Sequence, residues 1–166
     1  MTENYHTERL LLSKLTTDDA AFMHELLNTP GWIANIGNRN IDSTAAAHAY
    51  IIKITSPEFS SAGCIWKVSL RESHTPVGIT TLTNKDYLTG PDIGFAFLPH
   101  YTGRGFAYEA ARAVITIAGQ HNIKGIVAVT IKENLRSQKL LAKLGLKQSG
   151  TVIADKKELI VFSLSE

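Results

Sequence analysis

Apolar residues recur along this chain at two periods, every second position and every third or fourth, and the switches between them divide it into elements. Residues 9 to 15 (Arg-Leu-Leu-Leu-Ser-Lys-Leu) predict a first strand. Thr16, Thr17, Asp18 and Asp19 then supply an N-cap and first-turn acids for a helix whose buried stripe is Phe22, Met23, Leu26 and Leu27, and Pro30 with Gly31 stops it. The Asn- and Gly-rich stretch from Trp32 to Asn40 reads as a loop. A second helix begins after Asp42 or Ser43, runs to about Ile54 and is ended by Pro57. Three strands follow, Ile65 to Leu70, Val77 to Thr83 and Asp92 to Leu98, and the turns between them, carrying His74-Thr-Pro76 and Asn84 to Gly90, suit antiparallel hairpins.

The pattern changes at Tyr101. Ala107, Ala110, Ala111, Val114, Ile115 and Ala118 trace one face of a helix from Arg104 to about Gln120. Ile126 to Ile131 is apolar on both faces, so it predicts a strand buried on both sides; reached by a helical crossover, it should lie parallel to the strand before the helix. A shorter helix, about Leu135 to Leu144, closes on Gly145, and strands Leu146 to Ile153 and Leu159 to Leu164 flank the turn Asp155-Lys156-Lys157. The order predicts an α+β fold with one domain over residues 1–166. Its mixed sheet of about seven strands, flanked by about four helices, has an antiparallel front half that gives way to a parallel pair.

Composition narrows the class. A chain of 166 residues, 44% hydrophobic and 19% charged, is that of an ordinary globular protein with a substantial core. A formal charge of +2, with no long single-sign run, points to neither nucleic acid nor membrane. Cys64 is the sole cysteine, so no internal disulfide forms. With no apolar leader in MTENYHTERL and no run of ~18 apolar residues, cytoplasmic residence is the expectation.

Candidate chemistry centres on Tyr101 to Ala110, a strand-turn-helix junction with Gly103 and Gly105 in the turn. The first N–H groups of a helix lack main-chain partners, the helix dipole adds positive charge there, and glycine lets an anion approach the backbone. The junction therefore predicts a phosphate site, against the plainer reading of a chain reversal. It is not a dinucleotide fingerprint, which needs a small residue at Tyr108 and an acidic ribose partner ~20 residues on, where Thr130, Ile131 and Lys132 stand. Nor is it a nucleotide P-loop, since no Gly-Lys-Ser or Gly-Lys-Thr occurs.

Phe97-Leu98-Pro99, Gly103-Arg104-Gly105-Phe106-Ala107 and Glu109-Ala110 together resemble the acetyl-CoA pyrophosphate loop of the GNAT N-acetyltransferase superfamily. Asn134, Ser137 and Lys143-Leu-Gly145, with the opening Thr7-Glu-Arg-Leu-Leu-Leu12, resemble its ribosomal-protein N-terminal acetyltransferase branch. The resemblance implies a three-layer fold in which two central parallel strands splay apart and acetyl-CoA lies in the gap as co-substrate, without a metal. Phe97, Leu98, Gly103, Arg104, Gly105, Phe106, Ala107 and Asn134 would hold it. Backbone groups left unpaired at the splay would be satisfied by the pantetheine arm. Thr102 departs from the Gln or Arg with which many members begin the loop.

The chemistry implied is acetyl transfer to a primary amine, either a protein N-terminal α-amine or that of a small molecule, by a monomer or homodimer. Such an amine attacks a thioester only when neutral, and its pKa is ~8 for an α-amine and ~10.4 for lysine, so a proton must leave. Asp92, at the place of a glutamate in the branch's pattern, is the candidate base, with His100 behind it; each also has a plainer reading, as a strand start and as surface. Glu109 reads as an acid compensating the helix dipole. Asn134 is either an N-cap or a cofactor contact. Ser137 shares a helix face with Leu140, Leu141 and Leu144 and is either a small core residue or, as the resemblance implies, the acid that protonates the departing thiolate. Many GNAT enzymes use a tyrosine at the place of Leu141, which cannot donate a proton. That absence keeps a second hypothesis open, a CoA-binding or acyl-sensing module without turnover.

Overall fold

The first long strand, β2 (Leu10–Lys14), buries Leu10 and Leu12 completely and leaves Leu11 and Ser13 only half-covered. A computed structural model describes residues 4–60 and 63–164; residues 1–3, the start of the MTENYHTERL stretch read above as having no leader, lie outside them. A two-residue strand, β1 (Tyr5–His6), precedes β2. Helix α1 (Ala20–Leu27) follows a 3-10 turn over Thr17–Asp19, and its buried residues include the expected Phe22, Met23, Leu26 and Leu27. The Asp19 carboxylate accepts from Thr16 N–H at 2.9 Å and from Lys67 Nζ at 2.7 Å, fastening the start of α1 to the sheet.

Where the composition predicts a loop from Trp32, a short helix α2 (Pro30–Asn35) forms. Pro30 opens this helix as well as ending the previous one, because its fixed φ suits a first turn and Thr29 Oγ1 caps it by accepting from Trp32 N–H at 3.2 Å. Helix α3 (Thr44–Ile54) begins where Ser43 Oγ accepts from Ala46 N–H, and Pro57 likewise starts a one-turn helix, α4 (Pro57–Ser60).

Strands β3 (Gly63–Leu70), β4 (Pro76–Thr83) and β5 (Asp92–Phe97) run antiparallel. Then come α5 (Phe106–Gln120), β6 (Val127–Thr130), α6 (Leu135–Lys143), β7 (Leu146–Ala154) and β8 (Lys157–Leu164). The eight strands form one sheet in the order β1-β2-β3-β4-β5-β6-β8-β7, and β5 with β6 is its parallel pair. The fold is α+β around a mixed sheet as expected, with β1, α2 and α4 as the additions.

Side chains from the two faces form separate cores. On one face Leu10, Leu12, Trp66, Val68 and Ile93 pack under α5 and α6; on the other Leu15, Ile79 and Leu98 pack under α1 and α3. Val77 and Ile79 are two apart yet belong to different cores. Opposite Val68 and Ser69 the register jumps from Gly78 to Pro76, so Val77 is an extra residue in β4, a bulge that turns the strand over just before the end of β5.

Candidate active site

β5 and β6 share a single register pair, Asp92 with Val127, sealed by Val127 N–H donating to Pro91 C=O at 2.9 Å. The next rung would need the Val129 N–H, but that group donates to Asp92 Oδ1 at 3.2 Å. Beyond it the strands part. Leu98 N–H donates across to Val77 C=O on β4 at 2.9 Å. Because alternate residues of a strand point their main-chain groups to opposite sides, those of Phe95 and Phe97 face the opening instead.

The glycine turn stands at the mouth of this opening. Pro99–Tyr101 forms a 3-10 turn, closed where Thr102 Oγ1 donates to Pro99 C=O at 2.8 Å, so Thr102 serves the turn itself. Gly103 and Gly105 adopt φ of +76° and +83°, left-handed values that delay the start of α5 to Phe106, two residues after the expected Arg104. Glu109 N–H is the first to be re-engaged, by Gly105 C=O; among the described residues the N–H groups of 103 to 108 have no main-chain partner. A Cβ on Gly103 would meet nothing within 4 Å, so the space beside this Cα is open. Free main-chain donors, a helix N-terminus and bare glycine Cα atoms fit a diphosphate.

Phe106 itself is 5% exposed, with the Arg9 guanidinium 4.6 Å and the Arg104 guanidinium 5.2 Å from its ring centre, so it offers the site main chain rather than side chain. Leu98 is buried against the α1 and α3 face, and its N–H and C=O are both used internally, by Val77 and Tyr101. It shapes the strand end. Ala107 is half-buried and Arg104 exposed.

β6 ends on the same side as β5, and a capped helix leaves it much as the glycine turn and α5 leave β5. Asn134 Oδ1 accepts from Ser137 N–H at 3.1 Å and caps α6. The Ser137 hydroxyl makes no hydrogen bond among the described residues, while Leu141, one turn on, is 1% exposed in the core. Lys143 Nζ sits 4.4 Å from the Tyr108 ring centre and holds the far end of α6 against the first turn of α5. Asn134, Ser137 and the glycine turn thus all lie past the carboxyl ends of the two parted strands, the usual ligand side of such a crevice.

Asp92 lies at the other end. Five residues of strand, about 17 Å, separate it from Phe97. It is 5% exposed, and both its oxygens are engaged, Oδ1 by Val129 N–H and Oδ2 by Lys85 Nζ at 2.6 Å. Burial pushes its carboxyl up, against the pull of Lys85 and the Val129 N–H. Burial alone would lower the Lys85 ammonium, but Asp92 and the neighbouring Tyr87 outweigh it and hold it above the ordinary lysine value. His100 is exposed, its ring edge-on to Tyr101 at 5.2 Å.

Glu109 has more to do than face the helix dipole. Its Oε1 accepts from Thr7 Oγ1 at 2.6 Å and from Arg9 N–H at 2.8 Å, and its Oε2 from Arg9 Nε at 2.7 Å. Burial alone would raise this carboxyl; the Thr7 hydroxyl and both Arg9 donors outweigh it and hold the group below the usual carboxylate range. The sequence marks Thr7 within a resemblance, Arg9 there and as a strand start, and Lys85 as a turn residue, none of them with a task at the site.

The family model described as Acetyltransferase (GNAT) domain matches residues 9–147. The chain belongs to the GNAT acetyltransferase family. As a GNAT enzyme it takes acetyl-CoA as acyl donor. YoaA of Bacillus subtilis, an uncharacterised N-acetyltransferase, is 24% identical over 150 residues, covering 88% of this chain and 84% of its own. Among solved structures, the ribosomal-protein-S5-alanine acetyltransferase of Vibrio fischeri superposes with a TM-score of 0.72 at 15% identity over 97% of this chain and 95% of that one. The microcin C7 self-immunity acetyltransferase MccE, solved with acetyl-CoA and AMP, gives 0.82 at 15% identity over 96% and 94%. Both share the fold. Among the described residues no helix is long and apolar enough to cross a membrane, and no group of His, Cys, Asp or Glu is placed to hold a metal ion.

Two substitutions test these placements. Gly105→Asp puts a Cβ and a negative charge at a left-handed position beside the free donors, and calorimetry should show CoA binding lost while the far-ultraviolet spectrum stays that of a folded protein. Asp92→Ala should lower stability by about 1–3 kcal/mol, discounted because Lys85 is part-exposed and can rehydrate, while turnover of the folded fraction stays within a few-fold of wild type. Loss of turnover beyond ~100-fold with unchanged stability would return Asp92 to the role of base.

Proposed function

We propose that this GNAT enzyme is a single-domain protein that passes the acetyl group of acetyl-CoA directly to the α-amine of a protein or peptide N-terminus. The observation that carries the reading is the unpartnered Ser137 hydroxyl, held one turn before buried Leu141 on the helix after β6. Main-chain donors of residues 103 to 107 bind the diphosphate, and Asn134, while capping α6, lies beside the pantetheine arm. The Phe97 N–H, facing the opening, is placed to donate to the thioester oxygen as negative charge builds on it. The amine nitrogen bonds to the carbonyl carbon, the carbon–sulfur bond breaks, and the thiolate takes the Ser137 hydroxyl proton as solvent supplies another to the serine oxygen.

Acceptor chemistry follows from the position of Asp92. With that carboxylate committed to Lys85 and Val129 at the closed end of the strands, proton removal from the amine falls to solvent or to His100. An α-amine of pKa ~8 is about one-tenth neutral at pH 7, a lysine of pKa ~10.4 less than about one-thousandth, so an enzyme without a strong base favours α-amines. Thr7-Glu-Arg9, Asn134, Ser137 and Lys143-Leu-Gly145 support the same branch, and one of the fold's relatives is described as acetylating a ribosomal protein. Others are described as a microcin C7 self-immunity acetyltransferase and an aminoglycoside acetyltransferase, so a small-molecule amine is the competing acceptor. Leu141 in place of a tyrosine favours a second reading, acyl-CoA binding without turnover.

Thiol release from acetyl-CoA, measured on N-terminal peptides, their Nα-blocked forms, polyamines and aminoglycosides, decides among these. Free α-amine peptides should turn over at least tenfold faster than the rest. Faster release with polyamines or aminoglycosides, or CoA binding with no release on any, would replace the reading. Ser137→Ala should lower kcat by about 10- to 100-fold with the acetyl-CoA affinity within twofold, and an unchanged kcat removes Ser137 as the acid.

A further inference from the structure

Arg9 touches the glycine turn from outside, about a hundred residues away in sequence, and although its side chain is exposed it has several partners. Its Nε donates to Glu109 Oε2 at 2.7 Å, its main-chain N–H donates to Glu109 Oε1 at 2.8 Å, and Nη1 donates to Arg104 C=O at 3.1 Å. Nη2 lies 3.3 Å from where a Cβ on Gly105 would stand, and the guanidinium covers the Phe106 ring at 4.6 Å. One planar fork therefore ties the α5 first turn, the Arg104 carbonyl and the Phe106 ring into a single arrangement.

The consequence lies in the peptide between Arg104 and Gly105. No described peptide bond is cis, and in a trans unit the C=O and N–H point in opposite directions. Holding the Arg104 carbonyl toward Arg9 turns the Gly105 N–H the other way, and that N–H has no partner among the described residues. Gly105, at φ +83° and without a Cβ, could otherwise swing this peptide over freely.

We infer that Arg9 is a positioning residue for acetyl-CoA: through the Arg104 carbonyl it fixes the peptide that aims the Gly105 N–H at the diphosphate, with Glu109 and Thr7 holding Arg9 in place. The inference rests on this turn being the diphosphate site. It assigns Arg9 no direct contact with the donor. Lysine at this position keeps the charge but lacks the fork that reaches Glu109 and the Arg104 carbonyl together.

Calorimetry of CoA binding to the full chain, with the Gly105 amide followed by NMR, tests it on wild type, Arg9→Met and Arg9→Lys. Both variants should bind CoA about tenfold more weakly, the worth of one such hydrogen bond, and the Gly105 amide shift that CoA induces in wild type should shrink in both. A merely structural arginine would lower the melting temperature and leave that shift and the affinity within twofold, which overturns the inference. Full affinity in Arg9→Lys also overturns it, because charge alone would then suffice; that variant decides the matter if Arg9→Met does not fold. Wild type that binds no CoA sinks the diphosphate site itself, an outcome distinct from equal binding by wild type and variants.

Discussion

The structure turns on a competition for one hydrogen-bond donor. Two parallel strands would normally continue to pair, and the Val129 N–H would go to the backbone of β5. Instead the Asp92 carboxylate takes it, and Lys85 neutralises the charge that this places indoors. A side chain standing in for a ladder rung ends the ladder, and the strands diverge. Main-chain groups on the inner edge of β5 are then without partners, at a cost of about 1–3 kcal/mol for each left dry. Water or an extended amide-bearing ligand can satisfy them.

Every candidate group for the acyl donor is placed relative to that parting. The glycine turn comes after β5, the Asn134 cap and Ser137 come after β6, and α5 and α6 are clipped together by Lys143 on Tyr108. The faces of β5 alternate regularly at its end, so Leu98 packs with the α1 and α3 core while Phe97 remains with the α5 core. Arg9, itself tied to Glu109, holds the glycine turn through the Arg104 carbonyl.

Elements defined by local periodicity were legible in the sequence. Ile93, Phe95 and Phe97 alternate as expected, and Gly103 with Gly105 announced both the turn and the free donors after it. Helix α2 was not, because Pro30 and Gly31 read as a stop whereas burial of Trp32, at 7% exposed, overrides that local signal. Contacts that join distant segments were also hidden: no periodicity pairs Arg9 with Glu109 or shows that Lys85 folds back on Asp92. Asp92 could thus be named as a chemical group before its partners could be seen, and the partners decide what it does. Leu98 is the same case among the cofactor residues, its main-chain groups spent inside the protein.

Acetyl-CoA is expected to occupy the main-chain donors of the parted strands and of the turn beside them. Amide hydrogen exchange resolved by residue, with and without saturating CoA, tests it most directly. The account predicts slowed exchange at Phe95, Phe97 and residues 103 to 107, with little change at the paired end around Asp92 and Val127. Binding of CoA with exchange unchanged at those amides, or slowed only elsewhere, would contradict it.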